Sequence, residues 1–241
     1  MAWIQKIILI TDYTLKLLVA IRNLIVMKIV EKYSVLICVV LSVILIVIAT
    51  LVYPGGSLAD KNSIGFVWSK NFISNLFAAK AINGLENTSR IWAITGMAFH
   101  SVGYGIFFIH MSKKISTKPA ATILKLIGAA LILFNFLIAT PLHDIMVTTT
   151  STLFLTGLFY ITVFILKTKL QVFKVSCIVC FLIFYFTLYL YGSGDWGLLA
   201  IMQKVTFICS MLLVLGIEYF TKLEDFNQVK PNSQKMQTKN S

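Results

Sequence analysis

Hydrophobic positions in this chain fall into six long blocks, residues 33–52, 91–111, 120–142, 145–166, 175–191 and 198–220. A helix rising ~1.5 Å per residue crosses a ~30 Å hydrocarbon core in ~20 residues. Every block but the fifth meets that length, and the fifth, with 17 residues, sits at the short limit. In hydrocarbon each backbone N–H and C=O must be satisfied within the structure, which helices achieve on their own. The pattern therefore predicts an all-α, polytopic helical membrane bundle of six transmembrane helices.

The segments between the blocks differ in character. Residues 1–32 are apolar but interrupted, and Gln5, Asp12, Lys16 and Asn23 recur at i, i+7, i+11 and i+18. At 100° per residue these four fall within ~40° of one another, a narrow wet stripe on an otherwise apolar helix. Two readings fit: an amphipathic segment lying on the inner leaflet, or an over-long start, since Met27 opens MKIVEKYSVL just ahead of the first block. A signal peptide is disfavoured, because the stretch before Met27 is broken by charge and has no small-residue cleavage site. The connection 53–90 is the longest. Pro54-Gly55-Gly56 ends the first helix, and Asn71, Ser74 and Asn75 share one face if the middle of the loop is helical. Its expected form is an amphipathic helix in the outer headgroup layer or a shallow re-entrant turn over the bundle. Pro141-Leu142-His143-Asp144 and Gly192-Ser193-Gly194-Asp195-Trp196-Gly197 make tight turns, and the polar tail 221–241 reads as disordered.

Composition narrows the class. With 58% hydrophobic and 12% charged residues, the chain has about half the charged fraction usual for soluble domains, and the six blocks leave no room for a sheet or nucleotide-binding fold. The net charge of +12 is a topology signal. Lys6, Lys16, Arg22, Lys28, Lys32, Lys113, Lys114, Lys118, Lys167, Lys169, Lys174, Lys222, Lys230, Lys235 and Lys239 fall on one side, against Lys61, Lys70, Lys80 and Arg90 on the other. The positive-inside rule then places both termini in the cytoplasm, with membrane lipids as the expected partners and no nucleic acid. Cys38, Cys177, Cys180 and Cys209 lie inside spans, where Cys177-x-x-Cys180 reads as small buried side chains; neither a disulfide framework nor a metal or cofactor is expected.

Ionisable groups inside a membrane are costly and usually face a partner or a site. Lys204 lies seven residues past Gly197, ~10 Å into the sixth block, with Gln203 beside it. Either it snorkels to the interface, or it pairs with Asp144 or Asp195 from the same outer surface. Asn135 lies two turns below the outer end of the third block. The topology thus gathers Asn71, Ser74, Asn75, Asn135, His143, Asp144, Asp195, Gln203 and Lys204 near one leaflet as a candidate ligand-binding set. His100 reads as interhelical hydrogen-bonding glue, His110 as an inner-interface residue, and Glu218 as the partner of a basic tail or loop residue. Thr148 to Thr152 are expected to bond back to their own helix carbonyls.

On these residues the chain resembles the domain-of-unknown-function family numbered 998. NFISNLF supplies Ile73, Ser74 and Leu76 of that family's Ile-Ser-Asp-Leu-Gly-like loop motif, with Asn75 in place of the acid and Phe77 in place of the glycine. ATPLHD supplies His143 where the family carries a histidine near the outer end of the third or fourth span. The resemblance covers residues 33–220 and implies a six-span architecture rather than a reaction.

Three functions compete. A lipid headgroup or small ligand held in an outer-leaflet polar pocket uses the whole set, with Lys204 meeting an anion. A membrane-embedded hydrolase similar to alkaline ceramidases needs several His around a metal, whereas His100, His110 and His143 lie at three depths without His-x-x-x-His, so the sequence leans away from an enzyme. A proton- or solute-coupled transporter lacks polar lining in the inner half. Lys-, Ile-, Asn- and Phe-rich usage makes a bacterial cytoplasmic (inner) membrane the expected location, and binding is the favoured reading.

Overall fold

A computed structural model describes residues 2–137 and 142–227; side chains at 2–15, 17, 18, 21, 24, 25, 135, 136, 143 and 144 lie outside that description. The described residues are helical with no strand: α1 (Ala2–Leu51), α2 (Arg90–Lys114), α3 (Lys118–Leu137), α4 (His143–Leu166), α5 (Gln171–Ser193), α6 (Trp196–Phe220) and the short α7 (Leu223–Asn227). Five of these contain stretches long and apolar enough to cross a membrane: Val26–Leu51, Arg90–Lys114, Ile145–Leu166, Gln171–Ser193 and Trp196–Phe220. α3 is apolar as well and lies along α2.

The block at 175–191 is longer as a helix than as a hydrophobic run. α5 begins at Gln171, takes Lys174 into its first turns, and ends where Gly194 adopts φ +76° and returns its N–H to Leu190 O. α1 is a single helix of 50 residues, about 75 Å long by helical rise, so residues 2–25 continue the apolar stretch Val26–Leu51 without a break. Val26, Met27, Ile29 and Val30 are all at least half exposed, whereas Tyr33 stacks on Tyr219 of α6 at 6.2 Å.

The helices alternate in direction between a loop end, where 52–89 joins α1 to α2, and a tail end, where α6 passes into α7. α2 is central, packed against α1 and α3 along its length. The α2–α3 approach is close because Gly105 and Gly128 oppose each other: a methyl built on Gly128 would stand 2.6 Å from Gly105 O. At the tail end the core is continuous, with Phe107, Phe108 and Met111 of α2, Leu124 of α3, Ile161 and Ile165 of α4, Cys177 of α5 and Ile217 of α6 essentially inaccessible. Phe226 of α7 folds back into this core and is fully buried. At the loop end a separate apolar cluster joins Ile46, Ala49 and Tyr53 to Ala93 and Met97 through Ile73, Leu76 and Phe77 of the loop.

Candidate functional site

The loop 52–89 folds as an irregular plug held by side chain–backbone hydrogen bonds. Its one helical element is a five-residue 3-10 turn, Ile73–Phe77. The anticipated amphipathic helix is absent from this segment, which instead rests as a short turn against α1, α2 and α6. Pro54-Gly55-Gly56 reverses the chain after α1, Gly56 doing so at φ +84° with its backbone pressed against Ile82 and Asn83, a conformation and closeness that a side chain would oppose. Tyr53 folds beneath, its hydroxyl accepting Ile82 N–H at 3.1 Å, and burial pushes its phenol above the ordinary value.

Asn71 is the hub. It is fully buried, donates from Nδ2 to Gly56 O at 2.7 Å, and accepts Val67 N–H on Oδ1 at 2.9 Å. Asn75 accepts Phe72 N–H on Oδ1 at 2.7 Å, which starts the 3-10 turn. A third asparagine, not among the candidates, fastens the other side: Asn87 Nδ2 faces the carbonyls of Asn75, Leu76 and Ala78 at 2.8–3.2 Å, and its Oδ1 accepts the Ser89 hydroxyl at 2.5 Å. The amides therefore satisfy backbone groups that an irregular buried loop leaves over.

From the opposite side α6 reaches the plug with two adjacent residues. Gln203 Oε1 accepts Ile73 N–H at 2.8 Å. Lys204 Nζ donates to Asn71 O at 2.6 Å and to Ala200 O at 2.5 Å, and stands 5.8 Å from the Phe66 ring centroid. Both α6 residues lie two turns beyond Trp196, so the plug descends ~10 Å along α6 while its apolar side rests on α1 and α2.

Of the nine candidates, Asn71, Asn75, Gln203 and Lys204 come together, with Ser74 half-buried on the 3-10 turn beside them. Asp195 is elsewhere in role: its carboxylate caps α6 by accepting Leu198 N–H at 3.1 Å, so the anticipated Asp195–Lys204 ion pair does not form. Asn135, His143 and Asp144 lie where side chains are outside the described residues. Among the described residues no carboxylate pairs with Lys204. An ammonium has three donors, and among the described residues two carbonyls and no anion meet this one.

The other polar groups separate cleanly. His100 is buried in mid-bundle, stacked on Phe207 at 4.6 Å and near Tyr104 at 4.0 Å, with Nδ1 unpartnered. It bridges helices by ring stacking instead of the anticipated hydrogen bond. Thr149, Thr150 and Thr152 bond back to their own helix, as their spacing predicts. The four cysteines are free thiols, and among the described residues no group of three or more His, Cys, Asp or Glu is placed to hold a metal. A shallow groove of about 300 Å³ between α2 and α3, lined by Ala98, Ser101, Val102, Ala129, Ile132 and Leu133, is apolar and includes none of the candidates.

No sequence-family model, curated protein or solved structure matches the chain. The family resemblance rests on the loop and turn residues already named.

Proposed function

We propose that this is a six-span protein of a bacterial cytoplasmic membrane, termini inside, that holds an anionic lipid headgroup or small anionic ligand at the outer leaflet against Lys204. The observation that carries the reading is a half-buried lysine that, among the described residues, meets two neutral carbonyls and an aromatic face and no anion. In a low-dielectric layer a cation so placed attracts the nearest anion, and phospholipid headgroups are the most abundant anions at that depth. The plug confines the site and sets its distance from the surface. The asparagines contribute by shaping the plug: Asn71, Asn75 and Gln203 are engaged with backbone groups of the loop.

Native mass spectrometry of the full chain released from detergent tests this. Wild type is expected to carry an anionic lipid adduct that Lys204→Ala loses and Gln203→Leu, which loosens the plug but keeps the charge, retains. An adduct equally abundant in Lys204→Ala would overturn the reading. The proposed orientation has its own test. Ile64, 94% exposed in the loop, replaced by cysteine should react with a membrane-impermeant maleimide in intact cells, after permeabilisation of the outer membrane alone; labelling confined to lysed cells would reverse the topology.

A further inference from the structure

The side on which the Lys204 site is open follows from the position of the lysine around α6. At 100° per residue Lys204 lies ~40° from Ala200 in one direction and ~40° from Ile208 in the other. Ala200 is fully buried, whereas Ile208 and, one turn before the lysine, Ile201 are exposed apolar side chains. They belong to a stripe, Leu198, Ile201, Ile208 and Leu212, that the bundle leaves uncovered. On a spanning helix such a stripe faces hydrocarbon. Lys204 therefore stands at the seam between the packed face and the lipid face. Met211, ~20° from the lysine and two turns deeper, is buried again, so the seam closes toward the inner half.

The facing wall belongs to the loop. Three rings run from its buried side to its surface: Tyr53 meets Phe66 edge to face at 5.9 Å, and Phe66 meets Trp68 edge to face at 5.3 Å. Tyr53 is buried, Phe66 is half-buried beside the Lys204 ammonium, and Trp68 is 52% exposed. The loop also lies between the lysine and the aqueous phase, since Asn71 O receives the ammonium and Ile73 N–H bonds to Gln203 one residue before it. A ligand from water has to pass this plug. One from the bilayer passes between two apolar walls. Tryptophan suits the second route, because its ring is apolar and its N–H is a donor, the combination that settles at headgroup depth.

Resting on the reading of Lys204 as an anion site, we infer that the site opens sideways into the outer leaflet and takes a whole anionic glycerophospholipid, with Trp68 as a contact residue for it. The lipid phosphate meets the Lys204 ammonium, the Trp68 ring lies against the glycerol region, and the acyl chains run along the Ile201–Ile208 stripe. The chains never leave hydrocarbon, so the lipid reaches a cation below the headgroup layer without displacing the plug. A free phosphate lacks that route and is not the ligand.

Trp68 fluorescence reports the contact. The full chain keeping Trp68 alone, with Trp3→Phe, Trp92→Phe and Trp196→Phe, is reconstituted in phosphatidylcholine vesicles in which a minor share of the lipid is brominated, either as phosphatidylglycerol or as phosphatidylcholine. Brominated phosphatidylglycerol should quench Trp68 at least twofold more strongly than brominated phosphatidylcholine, and Lys204→Ala should erase that preference. A reporter on the opposite wall, Ile201→Trp with Trp68→Phe in the same background, should show the same preference and serves if the first chain does not fold. Equal quenching by the two lipids, or a preference that survives Lys204→Ala, would overturn the inference. A preference abolished by millimolar inorganic phosphate, but not by chloride at equal ionic strength, would overturn it as well, because the site is then filled from water. Equal quenching beside a Lys204-dependent lipid adduct in the mass spectrum would remove the lateral site and leave the anion reading standing; an adduct independent of Lys204 would remove both.

Discussion

Asn71→Leu is expected to release the 52–89 loop from the bundle while leaving the helices in place. The leucine fills a similar volume but removes both halves of the amide. Gly56 O, buried in the plug, loses its donor, and Val67 N–H loses its acceptor. Each buried group left unpaired costs about 1–3 kcal/mol, and the backbone around Asn71 also carries the carbonyl that receives Lys204. Losing several kilocalories from a segment held mainly by such bonds opens it locally, without global unfolding. The readout is tryptic cleavage at Lys61, Lys70 and Lys80 in protein reconstituted with the loop side exposed. Cleavage should accelerate by tenfold or more in Asn71→Leu, with helical circular dichroism unchanged. Ser74→Ala, on the same 3-10 turn, should cleave as wild type; equal rates for Asn71→Leu and wild type would mean that the plug does not depend on this hub.

The chain declared its helices and concealed its loop for the same physical reason. A spanning helix is written as a long, predominantly apolar block, because its lipid-facing and most of its packed positions are apolar, so the apolar stretches of α1, α2, α4, α5 and α6 can be read with errors of a few residues. The longer extent of α5 was hidden because Gln171 and Lys174 are polar yet helical, placed at an end where side chains reach water. The plug has no such period. Its order comes from Asn71, Asn75 and Asn87 bonding to particular carbonyls and amides, and which backbone groups an irregular segment leaves unpaired is decided only once the segment is folded.

The candidate site was legible to the same degree. Topology alone could bring Asn71, Asn75, Gln203 and Lys204 to one depth, and they do meet. What they bind was not legible, because depth says nothing of direction. Of the two carboxylates within reach of Lys204, Asp195 turns to its own helix, and the ammonium donates to the carbonyls of Asn71 and Ala200. Asn87 carries no signal in the sequence, because a polar residue ahead of a helix is ordinary. The His110–Glu218 contact follows from α2 packing on α6 at that end, which no spacing along the chain states.

The second large effect is expected at the α2–α3 crossing. Gly128→Val should lower thermal stability in detergent more than any surface change, because it acts on backbone separation. Even the first methyl of the new side chain would stand 2.6 Å from Gly105 O and 3.0 Å from Ile109 Cγ1. The Ile109 side chain can rotate aside, but the Gly105 carbonyl belongs to the α2 backbone and cannot. The two helices must therefore part, and parting them loosens contacts along α2 that also support Phe107, Phe108 and Met111 in the tail-end core. Overpacking in a filled interior typically costs about 1–3 kcal/mol and more where backbone has to move, and in lipid close packing is itself the force that joins helices. Gly192→Ala provides the contrast. It adds the same methyl within α5 where nothing lies within 4 Å, and alanine is the better helix former, so stability should be unchanged or slightly raised. A melting temperature for Gly128→Val within a degree of wild type would show that α2 and α3 do not depend on this close approach. A large fall for Gly128→Val with none for Gly192→Ala would locate the constraint in the opposed glycine backbones.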